Sequence, residues 1–203
     1  MAMAAAPRYR DGESEGLAVF PGGRLVCPRL LVVDVDDDAL LMPFSAGSVG
    51  ANEILIPSSD EVQAFSCAVN AGLEIVTVAA FNAESAVRMR ELLRCDVTVL
   101  ADGPLNAACS TAERGQLRLK HLSSLCRARG VLLRDIAVVA VRPEDRLMML
   151  EAGVAFALET AGYDTCTAAD AVFPPRRHGG LAAAIDVVAT LRMRPPDEAH
   201  LLR

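Results

Sequence analysis

The sequence predicts a three-layer α/β fold, an open parallel sheet with helices on both faces. Three observations carry that reading. Short apolar runs of Val, Ile and Leu recur from Leu30 onward. Helix-like stretches of roughly ten to fifteen residues separate them, the alternation that builds parallel sheets. Hydrophobic residues make up 52% of the 203 and aromatics only 4%, so Leu, Val and Ala must fill the core, as in a buried parallel sheet under Ala-rich helices.

The elements follow in order. "LLVVDV" from Leu30 is a strand. "SSDEVQAFSCAVNAG" is a helix capped by Ser58 or Ser59, with Val62, Phe65 and Val69 on one face and Gly72 at its end. "LEIVTVAAF" is the second strand, "NAESAVRMRELLR" a helix capped by Asn82, and "CDVTVLA" the third strand. "DGPLNAACSTAERG" reads as loop. "QLRLKHLSSLCRARG" is amphipathic, with Leu117, Leu122 and Leu125 near one side, and it stops at Gly130. "DIAVVAV" is the fourth strand, "PEDRLMMLEAG" a short helix with Pro143 in its first turn, and "VAFAL" the fifth strand. "GGLAAAIDVVATLRMR" is the last helix.

The expected organisation is one core domain over residues 29–194, with 102–116 as a loop or minimal cap. Residues 1–28 are expected to form a flexible tail and 195–203 a second one. The length suits one domain with a sizeable core. A net charge of -6 and a pI of about 5.1 argue against a nucleic-acid surface. No apolar run reaches the roughly 18 to 20 residues that span a bilayer, so no membrane partner is expected. The opening "MAMAAAPRYRDGESEG" lacks the layout of a secretory signal. The six cysteines are scattered, with no C-x-x-C and no His at ligand spacing, which disfavours zinc and suits reduced thiols in the cytoplasm.

The chemistry concentrates in "RLLVVDVDDDALL", where an apolar strand runs into Asp34, Asp36, Asp37 and Asp38. Carboxylates this close raise one another's pKa unless a positive charge sits among them. Three readings compete. A D-x-D-x-D calcium loop wants Gly sixth and Glu twelfth, where this chain has Ala39 and Ser45. A solvated acidic turn is the plainest reading. The third is a carboxylate nucleophile: Asp34 attacks a phosphoryl group, Asp36 serves as acid and base, and Mg²⁺ neutralises the cluster. That reading calls for a hydroxyl after the second strand, a Lys, and further acids after the fourth strand. In open α/β sheets the carboxyl ends of strands are where ligands bind.

Over about Arg29 to Met193 the chain resembles the haloacid dehalogenase (HAD) superfamily. "LLVVDVDDDALL" is similar to its strand and D-x-D-G-T loop, with Asp37 and Asp38 in place of Gly and Thr. Met149-Leu150, Gly153-Val154-Ala155, Ala169-Asp170 and Gly179-Gly180 fall in register with the family's ending. The branch it most resembles is the sugar-phosphatase one that includes the 3-deoxy-octulosonate phosphate phosphatases, which lack a large cap and form tetramers. The resemblance implies a Rossmann-like HAD fold and a homo-oligomer. It also implies Mg²⁺-dependent hydrolysis of a small phosphomonoester, such as a sugar phosphate, through an aspartyl-phosphate. On the matching positions Asp34, Asp36 and Lys120 would be catalytic, and Asp34, Asp36 and Asp145 would hold the metal. Thr77, Ala79, Arg142 and Arg146 would meet the substrate.

The departures from the family pattern bear on every one of these roles. The family's strand-two Thr falls on Ala79, with Thr77 two residues back. Its Gly-Asp falls on Val141-Arg142 and its Asn-Asp on Asp145-Arg146, leaving Asp145 or Glu144 to substitute. Arginine beside a metal is repulsive, but it could neutralise the acids directly. The alternative is therefore a catalytically inactive pseudoenzyme that acts as a binding or oligomerisation domain. Asp145 could equally be an acid that favours a helix start, and Lys120 an ordinary surface Lys. "PPRRHGG", with Arg176, Arg177 and His178, is expected as a solvated loop, with anion binding as its other reading.

Overall fold

The computed structural model describes residues 27–34, 57–79, 90–101 and 110–193. Six parallel strands form one sheet: β1 (Leu30–Asp34), β2 (Glu74–Ala79), β3 (Val97–Ala101), β4 (Ile136–Ala140), β5 (Val154–Leu158) and β6 (Ala171–Phe173). Their order is β3-β2-β1-β4-β5-β6. The helices are α1 (Ser59–Asn70), α2 (Thr111–Arg129), α3 (Arg146–Glu151), α4 (Tyr163–Ala168) and α5 (Gly180–Met193). This is the expected open parallel α/β sheet. The short sixth strand and α4 are additions to the sequence reading. Of the helix read over 82–94, residues 90–93 are helical and Arg94 is a turn residue, while 82–89 lie outside the described residues.

Strand alternation sorts the core into two halves. Leu31 and Val33 of β1 and Ile75 of β2 face Phe65, Ala68, Leu181, Ile185 and Val188 of α1 and α5. Leu30, Val32, Val76 and Val78 face Leu122 and Cys126 of α2 and Met148 and Met149 of α3. All five residues of β4 and of β5 are buried, as strands covered on both faces must be.

Local chemistry sets the helix ends. Ser58 caps α1 in a capping box with Glu61, and Ser110 caps α2 in the same way with Glu113. The α2 helix thus begins at Thr111, inside the segment expected to be loop, and it ends on Gly130 at φ 63. The buried face of α1 is Glu61, Ala64, Phe65 and Ala68, with Val69 exposed.

The face of α2 that meets the sheet is Gly115, Arg118, Leu122 and Cys126, a stripe at helical spacing. Gly115 lets the helix come down onto the turn after β4. A Cβ there would stand 2.9 Å from the Glu144 carbonyl oxygen. Gly115→Ala should therefore lower stability by about 1–3 kcal/mol, the range for overpacking a filled site. Urea denaturation checks this, and an unchanged midpoint would show that the turn yields freely.

Candidate functional site

The chain runs outward from β1 in both directions, through β2 to β3 and through β4 to β6, so the switch in winding falls between β1 and β4. Loops part at such a point, which is why sheets of this kind bind ligands there. Asp34 is the last residue of β1 and is buried. It alternates with Val33, so it faces the α2 side of the sheet.

From β4 the chain passes through Val141 and Arg142 into a 3-10 turn, Pro143–Asp145. Asp145 is fully buried. Its Oδ2 accepts the backbone N–H groups of Val141 (3.3 Å) and Arg142 (3.2 Å). Those bonds fold the carboxylate back over the end of β4, which pairs with β1.

Two arginines close the site. Arg118 on α2 donates through Nη1 to Asp34 Oδ2 at 2.9 Å and to Asp145 Oδ1 at 2.6 Å, and it is 1% exposed. Arg142 forks onto Asp34, with Nε to Oδ2 at 2.7 Å and Nη2 to Oδ1 at 3.3 Å. Its side chain is 19% exposed, so it stands at the mouth while Arg118 lies beneath. Arg114, one turn before Arg118, pairs with Glu144 at 3.4 Å. Burial pushes the Asp34 carboxyl up to about 8, the Asp145 carboxylate adds to the rise, and Arg142 and Arg118 pull the other way.

Of the residues singled out from the sequence, Asp34, Asp145 and Arg142 come together here. Lys120 does not join them: it is exposed on α2, and the side chain that reaches Asp34 from this helix is that of Arg118. Two residues along a helix turn about 200°, so Lys120 and Arg118 point to opposite sides. Arg146 is exposed at the start of α3. Thr77 is fully buried, but it alternates with Val76 and Val78 and so lies on the α1 and α5 side of β2, opposite to Asp34. Its Oγ1 meets no hydrogen-bond partner among the described residues. Ala79 ends β2, and Asp36, Asp37 and Asp38 lie outside the described residues.

The basic turn before α5 departs from expectation at one residue. Arg177 and His178 are exposed, but Arg176 is buried and grips Glu61 of α1 through Nε (2.6 Å) and Nη2 (2.8 Å). Glu61 also accepts the Ser58 N–H, so one carboxylate caps α1 and ties it to the turn.

The described residues do not fit a divalent cation. Mg²⁺ demands oxygen ligands at about 2.0–2.1 Å in octahedral array. Both oxygens of Asp34 receive guanidinium hydrogens, and both oxygens of Asp145 are engaged, one by Arg118 and one by the backbone. Among the described residues no group of three or more His, Cys, Asp or Glu is placed to hold a metal.

Removing one partner from a buried ion cluster leaves its charge uncompensated. Arg118→Met should therefore cost about 3–5 kcal/mol, whereas Lys120→Met should stay within about 0.5 kcal/mol, as exposed changes do. Urea midpoints of the two variants provide the check. Equal losses would contradict the assignment of Arg118 to the site.

No family model matches the sequence, and no curated protein matches it. Solved structures do. A hypothetical protein from Xanthomonas campestris superimposes with TM-score 0.66 at 17% identity, over 97% of this chain and 99% of that one. The 3-deoxy-D-manno-octulosonate 8-phosphate phosphatase of Moraxella catarrhalis, solved with magnesium, phosphate and the sugar acid, matches with TM-score 0.61 at 12% identity, over 87% and 94%. The Yersinia pestis phosphatase of the same name gives 0.62 at 14%, over 83% and 84%. Hydrolases of the HAD superfamily stand among the other matches. The chain has the haloacid dehalogenase fold, in the form seen in the 3-deoxy-octulosonate phosphate phosphatases.

Proposed function

We propose that this chain is a phosphatase-fold domain that binds and does not hydrolyse. The observation that carries the reading is the occupation of Asp34. Aspartyl-phosphate chemistry needs a carboxylate oxygen free to approach phosphorus, and here Arg118 and Arg142 take both oxygens. A guanidinium cannot give up its proton to open the site. The ligand class that suits the fold is a small phosphorylated sugar or similar anion. Self-association is the other binding role that the family resemblance implies.

A second reading is hydrolysis of a small phosphomonoester through Asp34. What favours it is that Asp34 and Asp145 meet at the switch point and that Arg142, the more exposed of the two arginines, stands at the mouth. Phosphate release from a panel of sugar phosphates with Mg²⁺ separates the two. The binding reading expects wild type and Asp34→Asn to be equally inactive. A wild-type rate more than about 100-fold above Asp34→Asn, the loss typical of removing one group from an active site, would establish the hydrolase.

A further inference from the structure

We infer that the Arg142 guanidinium is the resident counter-ion of this site, standing in for the divalent cation, so that the domain is built to be complete without metal. The inference rests on the closed-site reading of Asp34 but makes a separate claim about ions.

The geometry carries it. Asp34 and Asp145 are both buried, so their charges need a partner inside the protein. Arg118 reaches one oxygen of each and bridges them from α2. Asp34 also meets a second guanidinium, on its more exposed side. Arg142 fills this position with a two-pronged grip, and the planar fork of Arg matches a carboxylate in a way that a single point charge does not. The Arg142 backbone is fixed as well: its N–H is held by Asp145, the same carboxylate that Arg118 grips. The counter-ion is thus covalently part of the turn that follows β4 and is present whenever the chain is folded. A bound metal ion would depend on its concentration. A second cation beside Arg142 and Arg118 would be repelled.

Arg142 is therefore a positioning and charge-balancing residue, and charge reversal should convert its site from metal-blind to metal-requiring. The test compares wild type, Asp34→Asn, Arg142→Lys and Arg142→Asp by thermal denaturation in EDTA and in Mn²⁺, with Mn²⁺ electron paramagnetic resonance to count bound ions. Wild type and Arg142→Lys should melt at the same temperature with and without Mn²⁺ and leave the ion free in solution. Arg142→Asp should melt lower in EDTA and recover in Mn²⁺, by about 5–10 °C at roughly 100-fold excess over Kd. Mn²⁺ binding to wild type that is lost in Asp34→Asn would overturn the inference. So would an Arg142→Asp variant that gains nothing from Mn²⁺, whether it folds or stays unfolded in both conditions. The second outcome would sink the inference and leave the closed-site reading standing. Phosphate release by wild type would instead sink that reading.

Discussion

The contact on which the centre of this molecule depends is the Arg118 guanidinium, shut away from water between Asp34 and Asp145. It joins three pieces of chain that are far apart in sequence: the end of β1, the turn after β4 and the face of α2. Its position is prepared by several smaller features. The capping box at Ser110 starts α2, and Gly115 lets the helix close on the Glu144 carbonyl. The Asp145 carboxylate is aimed by the backbone N–H groups of Val141 and Arg142. Buried ion pairs contribute little net stability against apolar substitutes, but breaking one is expensive. Such a cluster therefore does more to specify one arrangement than to deepen it.

A second buried pair repeats the logic on the other face. Arg176 and Glu61 meet in a two-pronged contact that joins the start of α1 to the turn before α5. Both α1 and that turn begin at the carboxyl side of the sheet, because each follows a strand of a parallel set. The rim of the sheet is thus laced from both layers by Arg–carboxylate contacts. In a core built mainly from aliphatic side chains around Phe65, Phe156 and Phe173, these contacts add direction that apolar packing lacks.

The fold is one that solved phosphatases share, and Asp34 and Asp145 stand at its switch point. What sits among the acids decides what they can do. Function resides in sites grafted onto folds, and here two guanidinium groups hold the grafting position. Their charge does not depend on pH or on ion supply, whereas the chemistry of a phosphatase needs an oxygen left open to its substrate.

The sequence by itself determined the layered α/β class. The continuous apolar runs of β1, β2, β4 and β5 have no other stable home than a sheet covered on both faces. It also placed Asp34 and Asp145 correctly relative to strands, because a position after a strand can be read along the chain. The β6 strand is not legible in the sequence because three residues carry no period, and α4, "YDTCTA", shows no apolar stripe. Arg118 is hidden for a different reason. The leucines of the helix mark one side, whereas its buried stripe runs through Gly115, Arg118, Leu122 and Cys126. Followed at that spacing, the stripe would have turned Arg118 inward and Lys120 outward. Helical phase says which way a side chain points, not what waits there. Only the tertiary structure brought together a strand end, a turn and a helix face, and so decided that the cations among these acids are arginines of the chain itself.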